Sequence, residues 1–402
     1  MGEMSSLERA LVTQAAELCR LDEVRAWAEV NSGSANLAGL DTMAGLLADR
    51  MAILPGTLTL VDPSPVTAMD GGGQEIPLCH GQHLHLIVRP DAPRQILLTG
   101  HMDTVYPADH PFQSVRDLPD GRVNGPGVAD MKGGLAVMIA ALQAFEKHPG
   151  ASSLGYEVVI NSDEEVGSAS SAALIAAAAR GKIAALTYEP SALPDGTLAG
   201  ARPGSGNFSF HVSGRSAHAG RNPEEGRNAI TAAAELALAL EALRRDGLSV
   251  NVARIEGGSP NNVVPDLAVL RVNLRPRTPA LEAAAREGIA AAVQHVSATR
   301  DVSIHSHGAF GRPPKPLDPP ALRLFGLVEE AGRDLGQTIG RKDSGGVCDG
   351  NNIAACGIPV VDTMGVRGGA IHSTEEYLIP ESLAERASLS ALVIARLAGG
   401  AL

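Results

Sequence analysis

A histidine and an aspartate stand two positions apart, directly after a short apolar run. The run 95–98 predicts a buried strand, and His101 and Asp103 follow its end. Because side chains alternate along an extended chain, these two point the same way. That arrangement suits an imidazole that binds a metal ion while a carboxylate holds its other ring nitrogen. An isolated pair of this kind is more often a polar turn, so the interpretation depends on the rest of the chain.

Acids and a second histidine follow other predicted strands or lie in glycine-rich segments. These residues are Asp130, Glu164, Glu165, Glu189 and His372. In a wound sheet, ligands bind outside the carboxyl ends of the strands. Each acid alone would most simply be a helix cap or a surface side chain. Together with His101, they supply two imidazoles and three or four carboxylates at one predicted edge.

Two divalent cations fit this set of ligands. Asp130, Glu165 and Glu189 bring three negative charges, and a hydroxide brings a fourth, which balances two Zn²⁺ in a buried cluster. Mixed imidazole and carboxylate ligands are typical of catalytic zinc, and Co²⁺ or Mn²⁺ are possible substitutes. Of the adjacent acids at 164 and 165, one can ligate while the other, facing the opposite way, takes and gives a proton.

Strands and helices alternate in the first half of the chain, which predicts an α/β fold with a mainly parallel wound sheet. A glycine- and proline-rich loop is predicted over 109–127. Helices are predicted over 5–29, 37–51, 133–147 and 168–179, and strands over 58–61, 83–88, 95–98, 156–161 and 183–188.

The pattern changes near residue 201 into a β-α-β-β-α-β order, which is ferredoxin-like. It comprises strands over 207–212, 249–256, 267–274 and 301–307, a helix starting at Asn222-Pro223 and running to about Arg245, and a helix over 279–296. The first pattern then resumes, with helices over 319–335, 347–356 and 380–398 and a strand over 359–362. Residues 202–309 are therefore predicted to form a domain inserted into another, made of 1–201 and 310–402.

Composition limits the classes of function. The net charge of −12 argues against nucleic acid or an anionic membrane as partner. The four cysteines show no CxxC spacing, which favours a reducing compartment. The first residues carry acids and no apolar run, so no signal peptide is expected. No apolar stretch is expected to be long and uninterrupted enough to span a bilayer, since the run 172–179 ends at Arg180.

Five motifs, in this order, resemble the aminoacylase/glutamate carboxypeptidase family of co-catalytic zinc hydrolases, which includes acetylornithine deacetylase and succinyl-diaminopimelate desuccinylase. They are HMDTV at 101–105, GVADMKGG at 127–134, DEEVGS at 163–168, the glutamate at 189 and IHS at 371–373. The resemblance covers nearly the whole chain. It implies one zinc held by His101, Asp130 and Glu189, and a second held by Asp130, Glu165 and His372. It further implies that Glu164 is the general base, that Asp103 supports His101, and that the Asp130–Met131 peptide is cis.

The predicted inserted domain shares the resemblance. Residues 214–220 resemble the family's GxxAHAG stretch, which implies that His218 reaches a substrate oxygen, in several dimeric members from the neighbouring subunit. Asn262 and Arg275 match further substrate contacts. Without the motif, His218 would most simply be a solvated loop histidine.

Some positions depart from the family pattern. Thr197 and Ala199 stand where glutamate carboxypeptidases have Lys and Ser, and Cys348 precedes Asp349 where Thr is usual. Specificity for glutamate is therefore not implied, although a carboxylate is. Arg275 and Arg312 are candidates to bind that carboxylate bidentately. Arg367 lies just before the His372 loop and is either a substrate contact or half of a surface salt bridge.

These observations predict zinc-dependent hydrolysis of an amide next to a free carboxylate, by a zinc-peptidase-like catalytic domain with an inserted lid or dimerisation domain. The substrate would be a small peptide or an N-acyl amino acid, and the enzyme a cytoplasmic homodimer without nucleic-acid or membrane partners. One alternative is a biosynthetic deacylase of the acetylornithine type. Another is an inactive binding protein on the same fold, which should have lost Glu164 or a ligand; this chain has lost none.

Overall fold

Helices and strands alternate through a computed structural model that describes residues 4–402. The helices are α1 Ser6–Leu18, α2 Leu21–Ala28, α3 Leu37–Met51, α4 Gly133–Phe145, α5 Ala172–Ala179, α6 Ala229–Glu241, α7 Pro279–Arg300, α8 Pro319–Asp334, α9 Asp349–Ala355 and α10 Glu381–Ala398. The strands are β1 Thr57–Val61, β2 Val66–Met69, β3 Glu75–Leu78, β4 His83–Val88, β5 Arg94–His101, β6 Arg116–Asp117, β7 Val123–Asn124, β8 Leu154–Asn161, β9 Ala184–Thr187, β10 Leu198–Ala199, β11 Ser205–Ser213, β12 Leu248–Gly257, β13 Leu267–Pro276, β14 Ser303–Arg312, β15 Arg341–Lys342, β16 Val360–Val361, β17 Gly368–Gly369 and β18 Tyr377–Leu378.

A six-stranded mixed sheet in the order β1-β4-β8-β5-β9-β16 carries the predicted metal-site edge. The four strands from β8 to β16 are parallel, whereas β4 pairs antiparallel with both of its neighbours, β1 and β8. The central strand β5 is buried from Ile96 to His101, as expected for a strand covered on both faces by helices. The α/β fold class predicted from the sequence is confirmed.

Helix α4 lies inside this layered structure, and all thirteen of its residues are buried. A Cβ atom at Gly134 would lie 2.0 Å from the carbonyl oxygen of Tyr188, so only glycine allows α4 to start this close to the end of β9. The window Val128–Phe145 is long and apolar enough to cross a membrane, and it is entirely buried. This corrects the expectation that no such stretch exists, because Asp130 and Lys132 lie within the window without lowering its mean hydropathy enough to exclude it.

The segment 205–312 forms a second sheet with the order β12-β13-β11-β14, antiparallel throughout. Helices α6 and α7 cover one face and enclose a separate core that includes Phe210, Leu236 and Leu270. The opposite face carries polar side chains, because residues alternate along each strand. This strand order is the ferredoxin-like one, while the exact domain boundaries stay a prediction.

The two chain segments that join the sheets run side by side. Arg202 and Lys315 pair their backbones, with N···O distances of 2.9 and 3.0 Å. Asp362, fully buried, accepts hydrogen bonds from the guanidinium of Arg202 and lies 2.9 Å from the ammonium of Lys315. One carboxylate therefore fixes both connections to the larger sheet.

A hairpin formed by β2 and β3 stands apart from the larger sheet and was not predicted. Its strands pair from Val66↔Leu78 to Met69↔Glu75. Two side-chain hydrogen bonds join it to β14: Thr67 Oγ1 to His307 Nε2 at 3.0 Å, and Glu75 Oε1 to His305 Nε2 at 2.9 Å. The hairpin thus bridges from the first part of the chain to the second sheet.

Three predicted helices begin or end elsewhere, and competing contacts explain the differences. The helix predicted over 5–29 is divided at Cys19–Arg20, where the backbone is extended. The segment at Asn222 makes only a short turn, because the pairing of Arg215 with Arg227 keeps the chain extended; α6 starts after Asn228, which caps it. Helix α5 starts at Ala172, because the serines before it bind buried aspartates.

Candidate metal centre

The parallel strands of the large sheet bring the predicted ligands to one edge. His101 is the last residue of β5 and pairs in register with Asn161, the last residue of β8. Glu164 and Glu165 follow β8 by three and four residues, and Glu189 follows the end of β9 by two. The carboxyl ends of β8, β5 and β9 are neighbours, which places these side chains together.

The five predicted ligands form two groups that share Asp130. His101 Nε2 lies 3.2 Å from Asp130 Oδ1 and 3.7 Å from Glu189 Oε2. His372 Nε2 lies 3.3 Å from Asp130 Oδ2 and 3.2 Å from Glu165 Oε2. Each oxygen of Asp130 therefore faces one imidazole, and each of these imidazoles lies near one further carboxylate. The Asp130–Met131 peptide is cis.

Buried charges dominate the electrostatics of these groups. Burial alone would lower the pKa of His101, but the carboxylates of Glu189, Asp103 and Asp130 outweigh it and hold that pKa well above its usual value. Hydrogen bonds that the His372 imidazole donates to Asp130 and Glu165 raise the pKa of His372 to about 11. Burial raises the pKa of Glu165 to about 7, and the neighbouring Asp130 adds to this. The raised pKa values mean that bound protons balance the negative charge of the clustered carboxylates. Metal cations can take the place of those protons.

The donor atoms fit divalent cations of the zinc type. Two imidazole nitrogens and the oxygens of three carboxylates converge, and such mixed ligands suit Zn²⁺, Co²⁺ or Mn²⁺. The atoms contributed by His101, Asp130 and Glu165 lie within 4.8 Å of one another, as do those of His101, Glu164 and Glu189. His101 is 1% exposed and the His372 side chain 53%, so the site is closed on one side and open on the other.

Asp103 supports both halves of the cluster. Its Oδ1 lies 3.4 Å from His101 Nδ1, and its backbone oxygen lies 3.0 Å from the same nitrogen. The carboxylate also accepts hydrogen bonds from the backbone N–H groups of Glu164 and Glu165, each at 3.1 Å. This fully buried carboxylate therefore orients an imidazole ligand and the two adjacent acids at once.

A second supporting carboxylate, Glu376, was missed by the sequence analysis. It accepts hydrogen bonds from the backbone N–H groups of Gly127, Ala129 and Asp130, at 3.0 to 3.1 Å, and from the hydroxyl of Tyr106. Burial, and then the charge of Asp130, raise its pKa to about 7. The adjacent acids at 375 and 376, three and four residues after His372, repeat the paired-acid pattern at 164 and 165. That repeated pattern is the signal that could have revealed Glu376.

Arg312 contacts the predicted general base, which was not expected. Its guanidinium lies 2.6 Å from Glu164 Oε1 and 3.0 Å from Asp349 Oδ1, and it also donates to the hydroxyl of Ser168. Arg312 is 4% exposed. Its donors are therefore engaged by the protein's own acids, whereas the sequence analysis had assigned them to a substrate carboxylate.

The other predicted substrate contacts lie at different places. Arg275 lines a cleft of about 1090 Å³ that also exposes Glu164, Glu165 and His372. Its Nη1 donates to the carbonyl oxygen of Gly345 and its Nε to Asn273. Arg367 instead pairs with Glu385 at 2.9 Å and donates to the carbonyl oxygen of Pro194, as in the salt-bridge alternative.

His218 and Asn262 are neighbours on the surface of the second sheet's domain, away from the metal-site residues. His218 pairs with Val263 in an isolated bridge, and the Asn262 carbonyl oxygen accepts from Ala219 N at 2.9 Å. Both are exposed, and neither lines the cleft. The structure therefore does not bring His218 to the metal centre within this one chain.

Sequence comparison with known proteins identifies the family of this chain. The profile of Peptidase family M20/M25/M40 matches residues 97–396. Carboxypeptidase G2 of Pseudomonas sp. (strain RS-16) is 30% identical over 76% of this chain and 75% of that protein. Succinyl-diaminopimelate desuccinylase of Xylella fastidiosa (strain M23) is 30% identical over 75% of this chain and 83% of that protein. The chain therefore belongs to the peptidase family M20/M25/M40.

Solved structures show the same fold. The M20 family metallo-carboxypeptidase Sso-CP2 from Sulfolobus solfataricus superposes with a TM-score of 0.66 over 98% of this chain and all of that chain, at 16% identity. The aminopeptidase PepT from Bacillus cereus gives a TM-score of 0.67 over 97% of this chain and 99% of that chain, at 23% identity. Family membership makes this protein a metal-dependent hydrolase of peptide or acyl amide bonds.

Proposed function

We propose that this member of the M20/M25/M40 family is a dizinc hydrolase of an amide bond next to a free carboxylate. It would act as a metallocarboxypeptidase or an N-acyl-amino-acid amidohydrolase. The observation that carries the proposal is Asp130, whose two oxygens face two different imidazoles, those of His101 and His372. His101 and Glu189 would complete one site, and Glu165 and His372 the other.

Two divalent cations, when bound, would polarise the scissile carbonyl and lower the pKa of the attacking water. Glu164 takes the proton of that water and returns it to the leaving nitrogen. Arg312 binds Oε1 of Glu164, so we assign the proton transfer to Oε2. Burial raises the pKa of Glu164 well above its usual value, although Arg312 opposes that rise. A raised pKa makes the carboxylate a stronger base.

Arg275 is the group that we assign to the substrate carboxylate. It lies on the polar face of the second sheet, lines the cleft, and uses Nε and Nη1 for contacts within the protein. Its remaining Nη2 donors can reach into the cleft. A cation at this position selects amides that carry a carboxylate on one side of the scissile bond.

His218 would complete the site by stabilising the oxyanion, supplied either by the partner of a homodimer or by closure of the inserted domain. Two observations support a dimer through this domain. The strand β12 is an edge of its sheet, and Leu238 of α6 is 70% exposed. A second copy that pairs along β12 would continue the sheet across a two-fold axis.

We assign the enzyme to the cytoplasm, with small amides as its partners and neither nucleic acid nor membrane. The net charge of −12 and the two exposed cysteines, Cys79 and Cys356, support this. A biosynthetic deacylase remains the second candidate, because a desuccinylase is among the relatives. An inactive binding protein is disfavoured, because Glu164 and all five ligands are present and converge.

A substrate panel tests the proposed function. Zinc-loaded protein is assayed on acetyl-, succinyl- and glutamyl-type amides, each with and without a free carboxylate next to the scissile bond. We expect cleavage only of the carboxylate-bearing members, and loss of cleavage on chelation with recovery on adding zinc. Exclusive cleavage of acetylornithine or of succinyl-diaminopimelate would assign the second candidate. Cleavage that ignores the carboxylate would overturn the proposal.

A further inference from the structure

The cleft beside the metal centre has two chemically different walls. The polar face of the second sheet contributes the cationic side chains of Arg271 and Arg275 and the imidazole of His307. The hairpin β2–β3 contributes Val66, Thr67, Ala68, Met69 and Leu78, none of which is charged. A ligand that fills the cleft therefore meets cationic groups on one side and apolar groups on the other.

Two large apolar side chains that line the cleft are left exposed, one on the hairpin and one beside the metal-site acids. Leu78 is 41% exposed and Val166 is 56% exposed, and both line the cleft. Val166 directly follows Glu164 and Glu165, so the apolar surface begins next to the metal centre. Exposed apolar side chains gathered in a concave site are typical of ligand-binding surfaces. We call Val66, Ala68, Leu78 and Val166 the apolar wall.

The hairpin is held in place by contacts to the second sheet. Thr67 is hydrogen-bonded to His307, and Glu75 to His305, both on the edge strand β14. At the tip, a Cβ atom on Gly73 would lie 2.5 Å from the ring of His211, so the turn rests directly against the second sheet. These contacts fix the hairpin part of the apolar wall against the second sheet.

We propose that the apolar wall binds a large apolar acyl or side-chain group of the substrate. The enzyme would then favour amides with a carboxylate on one side of the scissile bond and an extended apolar group on the other. This inference rests on the proposed function, because it names the substrate class of the same site. It follows from uncharged, partly exposed side chains that line the same cleft as Glu164 and Glu165, with Val166 next to those acids in the chain.

The test compares N-acetyl-, N-hexanoyl- and N-octanoyl-L-alanine as substrates of the zinc-loaded protein. Each methylene that the wall covers should raise kcat/KM by about fourfold. Leu78→Asp should lower kcat/KM for the octanoyl substrate by more than about tenfold, while the acetyl substrate changes by less than about twofold. Leu78→Met, which keeps size and polarity, should retain the preference for long chains.

Ile76 offers a matched control. It lies two residues from Leu78 on the same strand, with 42% exposure against 41%, but it does not line the cleft. Ile76→Asp should leave all three substrates within about twofold of wild type. An equal loss in the Ile76 and Leu78 variants, or an equal loss on all three chain lengths, would overturn the proposal. Leu78→Ser replaces Leu78→Asp if thermal unfolding shows that the aspartate prevents folding.

A binding measurement separates this proposal from the proposed function. The affinities of octanoyl- and acetyl-alanine are measured by calorimetry on the zinc-loaded Glu164→Gln protein, with and without Leu78→Asp. If wild type cleaves none of the amides but binds the octanoyl compound tighter in a Leu78-dependent way, the apolar wall stands and the hydrolase proposal fails. Cleavage without any dependence on chain length or on Leu78 would support the hydrolase and overturn the apolar wall.

Discussion

The metal centre and the loop around His218 carry two parts of the proposed chemistry and are built in opposite ways. In the metal centre, Asp103 and Glu376 are buried and hold the ligands through hydrogen bonds to side chains and backbone. His218 is exposed, and its ring accepts one hydrogen bond from the nearby Gly220 N–H. The first region is formed before substrate arrives, and the second would have to be brought to it to act as we propose.

This difference shows what each region must accomplish. Convergence of several carboxylates is costly unless their positions are fixed in advance and their charges are balanced. A group that acts only when charge develops on a substrate oxygen has no such requirement and can arrive with a moving domain or a second subunit. Four predictions test this difference between the buried centre and the exposed loop.

The largest effect is expected at the general base. Glu164→Gln keeps the shape of the side chain and removes its basicity, so turnover should fall at least about 100-fold, while zinc content is unchanged. Zinc is measured by elemental analysis and turnover on any cleaved amide. Glu375→Gln, at an exposed acid outside the cluster, is the control and should keep wild-type turnover. Near-normal turnover of Glu164→Gln would give the base role to another group.

The next largest effect is expected at the exposed loop around His218. His218→Ala should lower turnover about 100-fold, as for the loss of one oxyanion donor, and leave zinc bound. Mixing His218→Ala with Glu164→Ala protein then distinguishes a shared site. If His218 acts on the partner's metal centre, a mixed dimer contains one complete site and activity returns. Proven subunit exchange without recovery would place His218 in its own subunit's site or outside the mechanism.

Glu376 tests whether the fixed half depends on its supporting carboxylates. Glu376→Ala removes the acceptor of three backbone N–H groups around Asp130, so zinc affinity should fall about 10- to 100-fold. Glu376→Gln keeps one acceptor oxygen and should lose less. Competition with a chromophoric chelator measures both. Unchanged affinity in Glu376→Ala would show that the Asp130 segment holds its own shape.

The smallest effect separates two arginines that the sequence analysis had treated alike. Arg312→Ala leaves Glu164 and Asp349 buried without their cation, so the free energy of unfolding should fall by about 3 kcal/mol. Arg367→Ala breaks a partly exposed pair with Glu385 and should cost about 1 kcal/mol or less. Urea unfolding of both variants measures the difference. Equal losses would contradict the assignment of Arg312 to the fixed centre.

The sequence predicted the large sheet and the convergence of candidate ligands at its edge for one physical reason. Parallel strands share a carboxyl end, so acids after β8 and β9 must meet the histidine at the end of β5. The same reasoning cannot find Glu376, whose partners are backbone groups of a distant segment. Nor can it find the partners of Arg312, because an arginine's contacts depend on distances that no local pattern encodes.

The hairpin escaped prediction because its pattern is weak. All four residues of β3 are exposed, so no alternation of apolar and polar side chains marks the strand. Its position follows from side-chain contacts to β14, which lies more than two hundred residues later. The proposed role of His218 cannot be derived from one chain's strand pattern either, because it would require domain motion or a second copy.

The adjacent connections at Arg202 and Lys315 have a consequence for how such an enzyme can be altered. Because the chain leaves and re-enters at backbone positions already hydrogen-bonded to each other, a short turn could replace everything between them. The shortened protein would keep the large sheet and its five candidate ligands, but it would lose Arg312. Conversely, a different unit could be grafted at the same point. Substrate range can therefore diversify by exchange of a module, provided that the new module supplies a cation in place of Arg312 beside Glu164.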